Sequence, residues 1–417
     1  MMDPAQARGI VDRALSQRGW CAQLLREMER HQADPLLVGM SIHALTPLGM
    51  GEGEPRHDRR EILPAAAVIV SAMARHLDDP EIQNKGSTAL VSISYGNGPE
   101  GHSAVRAAGG IGAILRAMNR YISTDDAEGV SLMALQALVV MIPDMAEACL
   151  VLDPLPQQTL EACISPVLHA LKAHPRDPGV VQLGATVIKN LCDVAKTMRL
   201  RVIEEGGVST LRSCLRTNAG TSEAAVEALL LSLACIAHGG PNDGRLAMVR
   251  EGVVTEALRA AQMHRSSSEV QGYLLLLLGS VAGLRSHPKL LDGDNHGIVG
   301  AIASAMSLSP DDVRIQISAC RALGHASQGG PEGRAALRGS GAMKAVVEAM
   351  RTHSLSPELQ EFGSGALHNL FVEAEPGERL SDRDSLVEMC AVDVLQRARH
   401  VHGTAAADVV LELLQSG

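Results

Sequence analysis

A glycine pattern that could bind a phosphate group occurs once in this 417-residue chain. Gly96 to Gly101 reads GNGPEG and matches Gly-x-Gly-x-x-Gly, whose glycines let a backbone approach the pyrophosphate of a dinucleotide. That chemistry needs a strand before the glycines, whereas this stretch follows a helical pattern. Similar turns recur at Gly239 to Pro241 and at Gly329 to Gly333. We therefore interpret all three stretches as turns between helices.

Two further patterns contain residue types that bind metal ions. Asp292 to Gly297 imitates the start of a calcium loop, but Ala303 stands at the twelfth position, where a bidentate glutamate is needed. Histidines recur at one repeat position, yet stacked helices lie about 8 to 10 Å apart, too far for ligands of a single ion. We expect these imidazoles to complement helix dipoles and to bond the last carbonyls of their helices. They are His76, His174, His264 and His353.

No pattern in the sequence nominates a catalytic residue. A nucleophile elbow, a Walker loop and an HExxH motif are all absent. The eight cysteines form no Cys-x-x-Cys pair and mostly lie in apolar helical patterns, which is typical of buried free thiols in a reducing compartment. We therefore predict that the protein is not an enzyme and holds neither a metal ion nor a cofactor.

The elements that position these residues are helices in a tandem repeat. Leu359 to Leu370, LQEFGSGALHNL, is an amphipathic helix, and equivalents of its Leu367 return every 44 to 50 residues. We call these equivalents the anchors: Leu45, Leu90, Leu138, Ile188, Leu233, Leu278, Leu323, Leu367 and Leu411. A second series with the same period closes the preceding helix of each unit: Met73, Ala117, Met118, Leu171, Leu215, Ala261, Met306 and Met350. A period of about 40 to 47 residues indicates HEAT or armadillo units, which must stack to bury their apolar faces.

A Gly-Gly-Ile entry to one helix, followed by a helix of the form VQxxGxxALxNL, resembles the armadillo repeat. The pattern is seen at Gly110 and Ile111, at Gly206 to Val208, and at Gly341 followed by Leu359 to Leu370. The resemblance implies an all-α fold, a right-handed α-α superhelix of about eight to nine repeats whose third helices line a concave, peptide-binding groove. We expect an N-terminal helical cap over residues 1–34, the repeats over 35–405, and a partial repeat or capping helix over 406–417.

In peptide-binding armadillo proteins, a Trp and an Asn four residues later stand on each third helix and hold an extended peptide. This chain has no Trp there, which argues against recognition of import cargo. We take the residues at these positions as candidates for partner binding. The Trp position holds Thr88, Gln136, Thr186, Leu231, Leu276 and Arg321, and the Asn position holds Asn190, His325 and Asn369.

The third helices around Leu231 and Leu276 are apolar on all sides, so they are either fully buried or face a partner. One hypothesis is that repeats five and six, residues 225–284, offer an apolar floor to an amphipathic helix or to another protomer, which would give a homo-oligomer. The alternative is that adjacent repeats already bury these leucines.

Acidic or hydroxyl residues followed by proline recur before the third helices, at Asp79, Asp177, Ser309 and Ser356. Two interpretations remain open, a row of helix caps or an acidic ridge that attracts a basic partner.

Composition limits the kinds of partner. The net charge is −10 and only six residues are aromatic, so we expect no nucleic-acid partner. The first twenty residues include five charged side chains, which is untypical of a secretory signal, and the longest apolar stretch is too short to span a bilayer. We therefore expect an intracellular protein, cytoplasmic with the nucleus or cilium left open, and no membrane partner. The predicted function is a non-catalytic scaffold for a protein or peptide. A regulatory module that modulates an enzyme or small GTPase is the alternative.

Overall fold

The computed structural model describes residues 2–49, 62–122, 127–142, 155–238, 243–284, 297–372 and 376–415. Within these ranges there are 24 helices and no strand. In chain order they are α1 Pro4–Leu15, α2 Trp20–Arg30, α3 Pro35–Gly49, α4 Ala65–Arg75, α5 Pro80–Gly96, α6 Gly98–Ala107, α7 Gly110–Tyr121, α8 Ala127–Met141, α9 Gln157–Ala173, α10 Pro178–Val194, α11 Lys196–Glu204, α12 Gly207–Asn218, α13 Glu223–Ala237, α14 Asp243–Arg250, α15 Val253–Met263, α16 Ser268–Ala282, α17 Gly297–Leu308, α18 Val313–Ser327, α19 Pro331–Gly339, α20 Ala342–Thr352, α21 Pro357–Val372, α22 Pro376–Glu388, α23 Ala391–His402 and α24 Ala405–Gln415.

The helices divide into two compact units, residues 1–214 and 215–417. Within the first unit, α3, α5, α8 and α10 pack one against the next, and within the second unit α13, α16, α18, α21 and α24 do the same. These nine are the third helices of their repeats. The helix directly before each of them is the second helix, and the remaining helices, α1, α6, α11, α14, α19 and α22, are first helices. Each third helix contains one of the predicted anchors, and every anchor is at most 2% exposed. The predicted series of stacked third helices is therefore confirmed within each unit.

The two apolar series have the same period because the residues that close the second helices pack against the third helices. At Gly363 of α21, an added Cβ would lie 2.7 Å from the side chain of Met350, which closes α20. The same close approach joins Gly86 to Met73 and Gly184 to Leu171. A larger residue at any of these positions would push the second helix away from the third helix.

A buried glutamine joins the second and third helices of several repeats. Gln316 Nε2 donates to the carbonyl oxygens of Met306 at 2.9 Å and of Ser309 at 2.8 Å. Because those carbonyls lie at the end of α17 and just beyond it, the amide satisfies backbone groups that the helix itself leaves unpaired. Equivalent pairs of bonds are made by Gln83, Gln271 and Gln360.

First and second helices are joined by a residue in the left-handed conformation. This residue is glycine at Gly19, Gly109, Gly206, Gly252 and Gly341, with φ between 66° and 78°. At the last repeat it is Cys390, with φ 53°, the one positive-φ residue other than glycine in the described ranges. Gly19 gives α1 and α2 the arrangement of a first and second helix, in the segment that we predicted as an N-terminal cap.

The residues before the third helices act as helix caps. Asp79 Oδ1 accepts from the backbone N–H groups of Glu81 and Ile82, and Asp177 and Ser356 accept similar bonds. The expected cap at Ser309 is wrong, because α18 begins later and Asp312 caps it. Ser309 and Asp312 both precede apolar helical positions, so the sequence does not indicate which of the two caps the helix.

Three of the four recurring histidines, His76, His264 and His353, bond the preceding repeat, which differs from our expectation that they would bond their own helices. His264 Nε2 donates to the carbonyl oxygen of Ala219, 45 residues earlier, at 2.8 Å. His76, His353 and His402 reach carbonyls of Gln32, Pro310 and Ser354 in the same way. Each imidazole thus links two successive repeats.

The glycine-rich stretches form turns between helices wherever the structure describes them. Gly96 ends α5 and Gly98 begins α6, and Pro331 begins α19 after Gly330, which supports the interpretation of these glycines as turns between helices. Gly239 to Pro241 and most of the DGDNHG stretch lie outside the described residues. Five of the cysteines are buried free thiols, whereas Cys235 is half-buried and Cys390 is exposed.

Candidate protein-interaction face

The predicted partner-binding residues lie on one side of the third helices. They stand two residues before or two residues after each anchor, and positions four residues apart share one helix face. Each unit therefore has its own surface of this kind, which we call its third-helix face. The face of the first unit holds Thr88, Gln136, Thr186 and Asn190, and the face of the second unit holds Leu231, Leu276, Arg321, His325 and Asn369.

In the first unit, the candidates differ in how accessible they are. Gln136 is exposed, and Thr88 and Thr186 are half-buried. The hydroxyl of Thr88 donates to the carbonyl of Asn84 at 2.8 Å, and that of Thr186 donates to the carbonyl of Gln182 at 2.9 Å. Both hydroxyls are therefore satisfied within their own helices.

The two asparagines link successive third helices. Asn190 Nδ2 donates to the carbonyl of Ile142 at 2.6 Å, and Asn369 Nδ2 donates to that of Gly324 at 3.3 Å. Asn190 is only 4% exposed, whereas Asn369 is half-buried. The amide of Asn190 thus stabilises helix stacking, and Asn369 retains a surface that a partner could contact.

Leu231 and Leu276 are half-buried, although their neighbours along α13 and α16 are not accessible. Leu230, Leu233, Leu275 and Leu278 are all 0% exposed. The helices that looked apolar on all sides therefore bury most of their leucines against other helices. One leucine of each helix reaches the third-helix face, where half-buried Ala228 and Tyr273 also lie on α13 and α16.

A cavity of about 590 Å³ lies between α18, α21 and α24. It brings together three of the predicted residues, Arg321, His325 and Asn369, and its other lining residues include Phe362, Glu361 and Thr404. Its lining is thus mixed, with an aromatic ring, a guanidinium group, an imidazole and an amide. Such a combination of one apolar surface with a few polar groups is typical of a recognition site.

Arg321 is held in place by two contacts. Its guanidinium group lies over the ring of Phe362, 4.5 Å from the centroid, and its Nη2 lies 3.2 Å from Glu358 Oε1. Phe362 was not among the site residues predicted from the sequence. It lies three residues before the Trp position of α21, so the third-helix spacing could have identified it.

Two titratable groups on this face lie in unfavourable electrostatic surroundings. Burial, and then the charges of Glu223 and Glu269, raise the pKa of Glu227 above its ordinary value. Burial, and then the positive charges of Arg245, His238 and Arg321, lower the pKa of His325. In both cases the charged form of the side chain is destabilised.

Comparisons of the whole chain show its fold. A chain from a solved structure of the interaction between cadherin and beta-catenin has a TM-score of 0.66 at 15% identity, and the match covers 90% of this chain and 65% of that one. An engineered protein has a TM-score of 0.50 at 18% identity over 60% of this chain and 99% of its own. A designed armadillo repeat protein in complex with the peptide (KR)4 has a TM-score of 0.48 at 19% identity, covering 64% and 100% of the two chains. The chain thus spans 65% of the length of the first of these structures.

No protein-family model matches the sequence, and the comparison with curated proteins finds no match. The helical repeats and the first two structural matches together define the class: this is an all-α repeat protein with an armadillo-type solenoid fold. In the part of the chain that the structure describes, no helix combines the length and the hydropathy needed to cross a bilayer.

Proposed function

We propose that the protein is a non-catalytic scaffold that binds a segment of another protein on the third-helix face. One observation carries the proposal: Leu231 and Leu276 occupy equivalent positions on adjacent third helices and stay half-buried while the leucines beside them are inaccessible. A matched pair of accessible leucines on packed helices offers apolar area to a partner.

The cavity next to Arg321 supports the same assignment. Aromatic and arginine side chains are common among the residues that dominate protein interfaces, and Phe362 and Arg321 stand in contact on this face. The solved structure with the cadherin and beta-catenin interaction is consistent with a protein partner for this fold. A net charge of −10 makes nucleic acid a poor partner, because phosphate binding needs a basic surface.

A regulatory module that modulates an enzyme or small GTPase would use the same face. The two functions separate once a partner is identified, since only the regulatory module changes the partner's catalytic or nucleotide-exchange rate. The same Leu231 and Leu276 surface could instead hold a second copy of the chain. The oligomeric state of the purified protein tests that possibility directly.

The experiment is affinity purification with Leu231→Asp and Leu276→Asp combined. We expect the double variant to keep the helical signal of the wild-type protein and to unfold cooperatively, because both side chains are only partly buried and a carboxylate there can reach water. It should lose the proteins that the wild-type chain captures. A matched control is Met263→Asp with Leu308→Asp, which changes two apolar residues that are 57% and 60% exposed on second helices. Unfolding of the leucine variant, or equal loss in the control, would contradict the proposal.

A further inference from the structure

The third-helix face of the second unit has acidic residues along one margin. Glu227 lies four residues before Leu231 on α13, so the two side chains share a helix face. Glu223 and Glu269 are exposed near the N-terminal ends of α13 and α16, close enough to Glu227 to act on its pKa. Glu223 Oε2 lies 3.9 Å from His264 Nδ1, and Glu269 Oε1 lies 3.5 Å from the exposed guanidinium of Arg314. The second of these contacts joins two exposed side chains, and such a pair contributes little stability.

Basic residues lie along the opposite margin. His325 follows Arg321 by four residues on α18, and it lies within electrostatic range of Arg245 and His238. Arg245 comes from α14, the first helix of the sixth repeat, and is half-buried. Residues from different helices therefore place positive charge near the C-terminal ends of the third helices.

An apolar floor separates the two margins. Leu231 and Leu276 lie between them, and an added Cβ at Gly272, four residues before Leu276, would meet no atom within 4 Å. Glu227 stands four residues before Leu231, and His325 stands four residues after Arg321, which holds the same repeat position as Leu231. Along a third helix, the two margins are therefore eight residues apart. At 1.5 Å rise per residue the margins are about 12 Å apart, which matches the 10 to 12 Å diameter of an α-helix with side chains.

The positions of Glu227 and His325 are not explained by a favourable interaction of their charges with the dipoles of the third helices. A carboxylate that was stabilised by a helix N-terminus would have a lowered pKa. The pKa of Glu227 is raised instead, although Ser267 gives its carboxylate a hydrogen bond and His264 lies nearby, and the pKa of His325 is lowered, so neither charged form has a fully compensating partner group. A ligand with a cation beside Glu227 and an anion beside His325 would supply one.

We infer that the partner segment is an amphipathic helix lying across α13, α16 and α18, with an apolar stripe on Leu231 and Leu276, basic residues on its flank beside Glu227 and Glu269, and acidic residues on its flank beside Arg245 and His325. This inference rests on the proposed function and specifies the chemistry of the ligand. A helix with the same charge on both flanks would match one margin and be repelled by the other.

Synthetic helices test the inference on the full chain. Three stapled peptides of roughly 18 residues, about 27 Å long, would share one apolar stripe. The split peptide has lysines on one flank and glutamates on the other, and the two uniform peptides have lysines or glutamates on both. We expect the split peptide to bind at least about tenfold more tightly than either uniform peptide, a difference of about 1.4 kcal/mol, measured by fluorescence anisotropy at low salt.

Protein variants identify the margins. Glu227→Lys with Glu269→Lys should shift the preference to the uniformly acidic peptide. Arg245→Gln with His325→Gln, a change without charge reversal that protects folding, should remove the discrimination against the uniformly basic peptide. The matched control, Glu332→Lys with Glu348→Lys, reverses two exposed glutamates on first and second helices and should leave the preference unchanged.

Equal affinity for the three peptides, binding of none of them, or a preference that the margin variants do not move would overturn the inference. Failure of the inference alone is recognisable, because the leucine double variant would still lose its captured partners. If that variant kept its partners, both the inference and the proposed function would fail.

Discussion

Arg338 and Asp382 form a two-pronged ion pair between the first helices of two successive repeats. Arg338 Nε lies 2.7 Å from Asp382 Oδ1, and Nη2 lies 2.8 Å from Oδ2, while Glu378 also contacts the guanidinium. The Asp382 side chain is only 1% exposed. The hydrogen bond to Asp382 raises the pKa of Arg338. Loss of Arg338 would therefore remove two charge-assisted bonds from a carboxylate that water scarcely reaches.

We expect Arg338→Leu to lower the free energy of unfolding by about 3 to 5 kcal/mol, because it leaves the Asp382 carboxylate buried and unpaired. Urea titration of the full chain measures the loss. Adding Asp382→Leu should recover much of it. Lys344→Ala removes an exposed pair with Glu348 and should cost less than about 1 kcal/mol. Equal effects of Arg338→Leu and Lys344→Ala would show that the buried pair is unimportant.

Cys390 occupies a conformation that glycine fills in other repeats. A non-glycine residue in the left-handed region costs about 1 to 2 kcal/mol, so Cys390→Gly should raise the free energy of unfolding by about 1 kcal/mol. Thermal unfolding followed by circular dichroism measures the gain. The reciprocal change, Gly341→Ala, should destabilise the protein by a similar amount. A destabilised Cys390→Gly variant would mean that the thiol makes contacts worth more than the strain.

Gln316 provides a test of the bonds that join second and third helices. Gln316→Met keeps the volume but removes both bonds, to Met306 and to Ser309. Because one buried and one partly buried carbonyl lose their donor, we expect a loss of about 1 to 3 kcal/mol in the free energy of unfolding. Gln316→Glu should be worse, since it buries a carboxylate that cannot donate. A neutral Gln316→Met variant would contradict the role that we assign to this amide.

Two histidines make stability depend on pH. Burial, and then nearby arginine charge, lowers the folded-state pKa of His102 and His325 below the ordinary value of 6.5. As the pH falls through 6.5 the unfolded chain binds protons first, so stability that is present above this pH is lost below it.

We therefore expect the free energy of unfolding to decrease between about pH 7.5 and about pH 5.5. In a His102→Asn, His325→Gln variant the decrease should be smaller. The lowered pKa of Asp312 acts near and below its ordinary value of 3.8, outside this range. An unchanged pH profile in the double variant would show that other groups control the transition.

The repeat architecture was accessible from the sequence, because stacked helices need an apolar anchor in every unit. Leu45 to Leu411 could be aligned by spacing alone, and all nine anchors are buried. Positions such as Asp79 and Asp177 also predicted their caps, since capping is a local property of a few consecutive residues.

The contacts between repeats could not be predicted from the sequence in the same way. Arg338 and Asp382, and likewise His264 and Ala219, are 44 and 45 residues apart, and their pairing depends on the register of packed helices. The sequence also did not predict which side of α13 stays accessible, because an apolar stretch such as Leu229 to Leu233 does not indicate which leucine remains half-buried. Only the packing of neighbouring third helices decides that.

Photocrosslinking in cells shows which helices of the protein meet a partner. A benzoylphenylalanine would replace Leu231 or Leu276 on the third-helix face, and Met263 or Leu308 on the second helices in matched chains. We expect both third-helix positions to give adducts with the same protein and the second-helix positions to give none. Adducts with a shared protein from Met263 and Leu308, with none from Leu231 and Leu276, would contradict this expectation.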